Sequence, residues 1–332
     1  MTAAAEEVIA RAGSSNTTGY AIEVEDMSVW YGQGRAVHDL SMHVPQGSIY
    51  GLVGPSGAGK STTIRVLATV QQPNAGTVLV DGVDARVDPA AARARIGYLP
   101  DFCGLYEGLT AGEYLGFYGA IYGVSPRRRR QMTDELLELL SLTDRRDDPV
   151  KSLSRGMRQK LGLARCLIHD PRILLLDEPA SGLDPRSRLD LRDILQELAR
   201  LRKTILISSH MLSELAEICT HLGIMRAGEL MAEGPVDEFM SAAFPDAIVR
   251  MRLLRADDVA TARQILETHR ACRGVEAADA STLVFQFDGR RQDPAAILEQ
   301  LSARGVQVTD FTVERPTLED VFLRVTDGGG RG

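Results

Sequence analysis

The residues best suited to chemistry begin with GPSGAGKST, positions 54 to 62. Its glycines allow the backbone to curl so that successive amides face one anion. An apolar run, SIYGLV, precedes it and a helical pattern, STTIRVLATV, follows, and a helix N-terminus attracts anions. This context predicts a nucleoside triphosphate site rather than a plain glycine-rich turn. The expected contacts are Gly54, Ser56, Gly57, Ala58, Gly59, Lys60, Ser61 and Thr62, with Lys60 on the outer phosphates and Ser61 on Mg²⁺.

A second reactive segment is ILLLDEP, positions 173 to 179, an apolar strand that ends in two carboxylates. Asp177 can hold Mg²⁺ through water, and Glu178 can polarise a water that attacks the γ phosphate. Alone the segment is a weak signal, because a strand ending in two acids also serves as a turn and helix cap. Beside the phosphate loop it predicts the other half of one hydrolytic site.

Composition limits the class of protein that carries this site. The chain has 332 residues, 44% hydrophobic and 25% charged, which favours two globular domains. A formal net charge of -7 argues against nucleic acid as a partner. The basic run at 127 to 130 is interpreted as a solvated helix face, with a phosphate or lipid contact as the alternative. No apolar run is long enough to span a bilayer, and the first twenty residues do not resemble a secretion signal, so we expect a cytoplasmic protein.

The order of predicted elements places the site in an α/β domain. Strand-like segments at the start lead into alternating strands and helices up to about residue 240, typical of a parallel α/β core. A helix-rich insertion occupies about 102–168. After about residue 248 the pattern strand, helix, strand, strand, helix, strand, helix predicts a small α+β ferredoxin-like domain. The expected divisions are a flexible N-terminus at 1–19, a first domain at 20–240, an accessory domain at 248–326 and a flexible tail at 327–332.

Three further motifs complete a pattern. LSRGM lies at 153 to 157, SGLD at 181 to 184, and ISSH ends at His210. The order phosphate loop, LSGGQ-like motif, acidic strand, SGLD loop and histidine resembles the ATP-binding cassette (ABC) ATPases over roughly residues 20 to 240. The resemblance implies a P-loop ABC cassette with an antiparallel β subdomain, a RecA-like core and a helical subdomain.

The resemblance also implies roles for particular residues. An aromatic residue stacks on adenine, and Tyr31 holds the matching place, with Trp30 as the rival. The LSGGQ-like motif binds the γ phosphate held by a second cassette, so two cassettes close head to tail around two ATP molecules. Asp184 is expected at the dimer seam, and His210 is expected to hold the attacking water with Glu178. The motif residues are Ser154, Arg155, Gly156 and Met157, of which Arg155 and Met157 depart from the family pattern.

Asp101, in YLPDFCG, lies where the family has a glutamine that touches Mg²⁺ and the attacking water. A carboxylate can approach Mg²⁺ but cannot donate a hydrogen bond when ionised. We therefore interpret Asp101 as a substitute ligand, with a surface aspartate as the alternative. The expected metal contacts are then Ser61, Asp177 and Asp101.

The ending ERPTLEDVFLRVTDG, 314 to 328, resembles ATPases of ABC-2 type exporters, including drug and antibiotic exporters. This implies an ATP-hydrolysing, Mg²⁺-dependent subunit on the inner face of the membrane, paired with a separate polytopic permease. The exposed partner groove is expected at Phe102, Leu105 and Tyr106. The cassette pair is a homodimer or a dimer with a related cassette. The alternatives are a soluble ABC ATPase that acts outside transport and a nucleotide-binding regulator.

Overall fold

The computed structural model describes residues 19–102, 104–211, 215, 217–243, 247–288 and 294–314. These residues divide into two compact units that meet at the Val236–Asp237 bond. The predicted flexible segments, apart from Gly19, and the exporter-like ending, apart from Glu314, lie outside the described residues. Part of the MLSELAEICT stretch at 211 to 220, whose apolar spacing predicts a helix, also lies outside them.

The first unit is built from ten strands and a set of short helices among the described residues. The strands are β1 Tyr20–Tyr31, β2 Gly34–Pro45, β3 Ile49–Val53, β4 Ala75–Val80, β5 Val83–Asp84, β6 Ile96–Leu99, β7 Ile173–Asp177, β8 Thr204–Ser209, β9 His221–Arg226 and β10 Glu229–Pro235. The helices are α1 Lys60–Leu67, α2 Pro89–Arg93, α3 Ala111–Ile121, α4 Pro126–Leu139, α5 Arg155–Leu167 and α6 Pro185–Arg200, and α7 Val236–Ala243 begins at the unit boundary.

The central sheet has six strands in the order β10-β9-β3-β8-β7-β6. All neighbours are parallel except β10, which pairs antiparallel with β9 at one edge. Strands β3, β7 and β8 are buried along their full length, as expected of a parallel sheet covered on both faces. This confirms the predicted α/β core. The β9–β10 hairpin was missed by the sequence analysis, which placed no strand between 221 and 235.

A second, antiparallel sheet packs beside the first, with the order β2-β1-β4-β5. Alternate residues of β1, such as Ile22 and Val24, are fully buried, and they join residues of β3 and α1 in one hydrophobic core. This sheet is the antiparallel β subdomain predicted for the cassette.

Helices α3, α4 and α5 form the predicted helical insertion between β6 and β7. Each has a local start signal. Thr110 and Glu113 form a reciprocal capping box for α3, Pro126 opens α4, and the Ser154 hydroxyl accepts from the Met157 amide at the start of α5. The arginine run at 127 to 130 occupies the first turn of α4. Within the described residues, no helix combines the length and the apolar character that a membrane span requires.

The second unit has the strands β11 Ala247–Leu253, β12 Cys272–Ala277, β13 Thr282–Phe287 and β14 Val308–Glu314, with helices α8 Val259–Thr268 and α9 Pro294–Ala303. Its sheet order is β12-β13-β11-β14, with every neighbouring pair antiparallel. This split βαβ arrangement confirms the predicted ferredoxin-like fold. Its own core includes Phe285, Phe287, Leu266 and Leu301.

Candidate active site

The phosphate loop connects β3 to α1 and depends on glycine conformations. Gly57 has φ +82° and Gly59 has φ +104°, both in the region that side chains disfavour. A Cβ on Gly59 would also lie 2.9 Å from the Ala36 carbonyl oxygen. The loop therefore keeps its curl only with glycine at these positions, and it delivers Lys60 as the first residue of α1.

Lys60 is almost fully buried, with 6% of its side chain exposed. Its ammonium donates to the carbonyl oxygens of Gly54 at 2.7 Å and Pro55 at 3.2 Å, and it lies 3.6 Å from Glu178 Oε1. A buried cation is held in place only when acceptors surround it. The loop thus presents a fixed positive charge beside the acidic strand.

Asp177 ends β7 and is buried, with 1% of the residue exposed. Its Oδ1 accepts from Ser61 Oγ at 2.9 Å and from Ser208 Oγ at 2.8 Å. Burial raises the pKa of Asp177 although both serine hydrogen bonds oppose the rise, and the charges of Asp101 and Glu178 raise it further. The site therefore concentrates negative charge that a bound cation would stabilise.

Glu178 directly follows this strand and faces a histidine. Its Oε2 lies 2.8 Å from His210 Nδ1, and its amide donates to Ser208 Oγ at 2.9 Å. Glu178 has φ +48°, a strained backbone conformation for a non-glycine residue. In this conformation the carboxylate faces His210, and 16% of the Glu178 side chain and 51% of the His210 side chain are exposed.

Lys60, Glu178 and His210 line one cleft of about 520 Å³, a volume within the usual range of small-molecule sites. The predicted site residues Asp177 and Gly54 are not among its lining residues. The cleft brings together the phosphate loop, both residues of the Glu178–His210 pair, and Asp101. Its lining residues are Ala36, Ser56, Gly57, Ala58, Gly59, Lys60, Ser61, Thr62, Asp101, Glu178, Ser181 and His210. Asp101 is exposed to solvent and also lines the cleft, so both interpretations of this residue stay open.

The predicted aromatic contact and the LSRGM motif lie outside this cleft. Tyr31 is half exposed and donates its hydroxyl proton to Gln71 Oε1, while Trp30 is 45% exposed and lies 5.8 Å from the Arg35 guanidinium carbon. Ser154 caps α5, and Arg155 points to the SGLD loop of its own chain. Asp184 is exposed at the start of α6.

Three residues of the site were missed by the sequence analysis. Ser208 holds both Asp177 and the Glu178 amide, and Ala36 and Ser181 line the cleft. Ser208 could have been noticed, because it is the first serine of the SSH segment that ends at His210. The sequence does not show which acidic residue its hydroxyl contacts. Ala36 carries no chemical signal in the sequence, because its side chain has no polar group.

The residues present fit a magnesium-bound nucleotide. Ser61 and Asp177 offer oxygen ligands beside the phosphate loop, and Mg²⁺ usually takes one or two carboxylates together with substrate phosphates and water. The described residues contain no group of three or more His, Cys, Asp and Glu side chains placed to hold a metal by themselves.

Comparison with known proteins identifies the family to which this chain belongs. A family model described as ABC transporter matches residues 37–181. The daunorubicin/doxorubicin resistance ATP-binding protein DrrA of Streptomyces peucetius is 36% identical over 306 residues, which cover 92% of this chain and 92% of that protein. This chain belongs to the ABC transporter ATP-binding proteins. The cassette is therefore an ATPase, as predicted.

The remaining comparisons narrow the branch of the family. A model described as the C-terminal domain of ATP-binding protein DrrA1-3-like matches residues 243–326, which follow the cassette. The bacitracin transport ATP-binding protein BcrA of Bacillus licheniformis is 33% identical over 94% of this chain and 99% of its own length. A solved structure of an ATP-binding subunit of an ABC transporter has a TM-score of 0.61 at 30% identity, covering 66% of this chain and 91% of that one. These likenesses favour an exporter ATPase over the two alternatives.

Proposed function

We propose that the cassette is the ATP-hydrolysing subunit of an ABC-2 type exporter and that it closes head to tail with a second cassette around two Mg-ATP molecules. The observation that carries the proposal is the single cleft that joins the phosphate loop, Asp101, Glu178 and His210. Regulators that only bind nucleotide have no need of a strained carboxylate paired with a histidine at 2.8 Å.

In this proposal each residue of the cleft has one task. The phosphate-loop amides and Lys60 bind the β and γ phosphates. Glu178 accepts a proton from the attacking water as that water adds to the γ phosphate, and His210 holds the water and orients Glu178. Tyr31 stacks on adenine at the open side of the loop. Its half-exposed ring is available for that contact.

Magnesium would be held by Ser61, Asp177 and Asp101 together with phosphate oxygens. The ion supplies charge neutralisation between the carboxylates and the triphosphate. Asp177 is fixed for this task by its two serine hydrogen bonds. Asp101 lines the same cleft, which supports the substitution of this aspartate for the family's glutamine.

The second cassette would contribute the LSRGM motif. Ser154 stands at the N-terminus of α5, where the helix dipole attracts phosphate, and it lies outside the cleft of its own chain. A Cβ on Gly156 would lie 2.6 Å from Ser187 Oγ, so Gly156 keeps α5 close to α6. Met157 contributes its amide to the Ser154 cap. Asp184 would meet the partner from the exposed start of α6.

The permease would dock on the aromatic surface of the helical insertion. Phe102 is 87% exposed and Tyr106 is 54% exposed, which is unusual for such large apolar side chains. The Tyr106 ring also packs against Phe117, with ring centroids 5.5 Å apart. A helix from a membrane partner would bury this surface and place the cassette at the inner face of the membrane, where ATP is available. Leu105 is the third residue we assign to this contact.

One variant tests the core of the proposal. Glu178→Gln keeps the shape of the side chain and removes the base, so we expect ATP binding to persist, turnover to fall by roughly 10²- to 10⁴-fold, and an ATP-dependent dimer to accumulate. Fluorescent-nucleotide binding, phosphate release and size-exclusion chromatography measure the three outcomes. Wild-type turnover in this variant would remove Glu178 from its role.

Export is tested separately, by copurification of the protein with a polytopic membrane protein. We expect this copurification to be lost in Phe102→Ser.

A further inference from the structure

Arg155 stands in the LSRGM motif where the family pattern has glycine, and its side chain makes a contact that glycine cannot make. Its Nη2 donates to the carbonyl oxygen of Ser181 at 2.9 Å. The guanidinium also covers Gly182, because a Cβ built there would lie 2.2 Å from Nη2. The LSRGM motif is proposed to bind the ATP of the partner cassette. Through Arg155 it also holds the SGLD loop of its own chain.

The SGLD loop is in turn part of the chain's own ATP site. Ser181 lines the cleft with Glu178 and His210. The Ser181 amide donates to the Glu178 carbonyl oxygen at 3.0 Å, which closes the turn that carries the strained Glu178 backbone. A displacement of Ser181 therefore acts on the residue that positions the proposed base.

Helices α5 and α6 are joined at two more points beside this contact. The Cα of Gly156 approaches Ser187 so closely that a Cβ would lie 2.6 Å from Ser187 Oγ, and Ser187 Oγ donates to Asp184 Oδ2 at 2.6 Å. Lys160 Nζ lies 2.7 Å from Asp190 Oδ2. These contacts keep the helices together when Arg155 is changed, so Arg155 controls the loop and not the packing of the helices.

We propose that Arg155 is a positioning residue that couples the two ATP sites of the dimer. The inference rests on the proposed head-to-tail closure. Ser154 senses the partner's ATP, and Arg155, the next residue, transmits the position of α5 through Ser181 to Glu178 of its own chain. Binding at one site then prepares hydrolysis at the other, which is a coupling free energy between sites.

The test uses the full-length chain and measures initial rates of ATP hydrolysis over a range of ATP concentrations. In the wild type we expect a Hill coefficient close to 2, the number of sites, and in Arg155→Ala and Arg155→Gly a value close to 1 with a lower kcat. Arg155→Lys restores part of the cooperativity, because an ammonium can donate to the same carbonyl but lacks the planar fork. Arg130→Ala, which removes an exposed arginine from α4, keeps wild-type cooperativity.

Binding of a fluorescent ATP analogue to the monomer and the thermal midpoint separate coupling from a structural effect. Both stay at wild-type values in Arg155→Ala if the inference holds. A variant that loses monomer affinity and thermal stability together with cooperativity would show a structural role and overturn it. If the wild type dimerises with ATP and Arg155→Ala keeps the wild-type Hill coefficient, the inference about Arg155 is overturned and the proposed function stands. A wild type that stays monomeric with ATP and hydrolyses it without cooperativity overturns the proposed function as well.

Discussion

Ser208→Ala isolates the contribution of one hydroxyl to both acidic residues. Ser208 Oγ donates to Asp177 Oδ1 at 2.8 Å and accepts from the Glu178 amide at 2.9 Å, in a fully buried position. A hydrogen bond to a charged group contributes about 1.5–3 kcal/mol. If that energy is used in the transition state, its loss lowers kcat/KM by about 10- to 150-fold, at 1.36 kcal/mol per factor of ten.

The neighbouring serine provides a matched control for this substitution. Ser209 is also buried, but its hydroxyl bonds to the backbone of Met211 and not to either acid. We expect Ser209→Ala to retain turnover close to wild type. In Ser208→Ala we expect turnover to fall by the factor given above, while the circular dichroism spectrum and nucleotide binding stay at wild-type values. Phosphate-release kinetics on the two variants compare them directly. Equal turnover in Ser208→Ala and Ser209→Ala would refute the positioning of Asp177 and Glu178 by Ser208.

Three further predictions concern Asp101, Glu233 and the phosphate loop. Asp101→Ala should lower ATP turnover and raise the Mg²⁺ concentration needed for half-maximal rate, and unchanged values in a magnesium titration would leave Asp101 a surface residue. Burial raises the pKa of Glu233, against hydrogen bonds from His43 and from the Tyr50 hydroxyl. The stability that this rise contributes is present below the unfolded pKa of about 4.3 and is lost as pH rises through the folded pKa, so the wild type should lose unfolding free energy relative to Glu233→Gln as pH rises above about 4. Urea unfolding of both proteins measures this, and a pH-independent difference would contradict it. Gly57→Ala and Gly59→Ala should both weaken ATP binding, because both positions have positive φ. The Gly59 change should weaken it more, because a Cβ there also meets a backbone carbonyl oxygen at 2.9 Å, whereas none of the described atoms beyond its chain neighbours lies within 4 Å of a Cβ at Gly57. Equal affinities by fluorescence titration would exclude the steric argument.

The phosphate loop and the acidic strand were predictable because their chemistry is local. GPSGAGKST carries its own strand, turn and helix within about twenty residues, and its glycines are required by the positive φ values of the turn itself. The fold of the second unit was also predictable, since its strands and helices alternate in an order that few topologies satisfy. The β9–β10 hairpin was missed because its apolar periodicity is short and joins a helix-like stretch directly.

The sequence by itself determined the family, and it identified the candidate residues for phosphate chemistry, because motif type and spacing are properties of the chain. The contacts between distant motifs were decided only by the tertiary structure. Ser208 meets Asp177 because β7 and β8 are parallel neighbours in a register that pairs those two residues. Arg155 reaches Ser181 because α5 packs beside the start of α6. Strand register and helix packing depend on burial summed over the whole core, so no local motif specifies them.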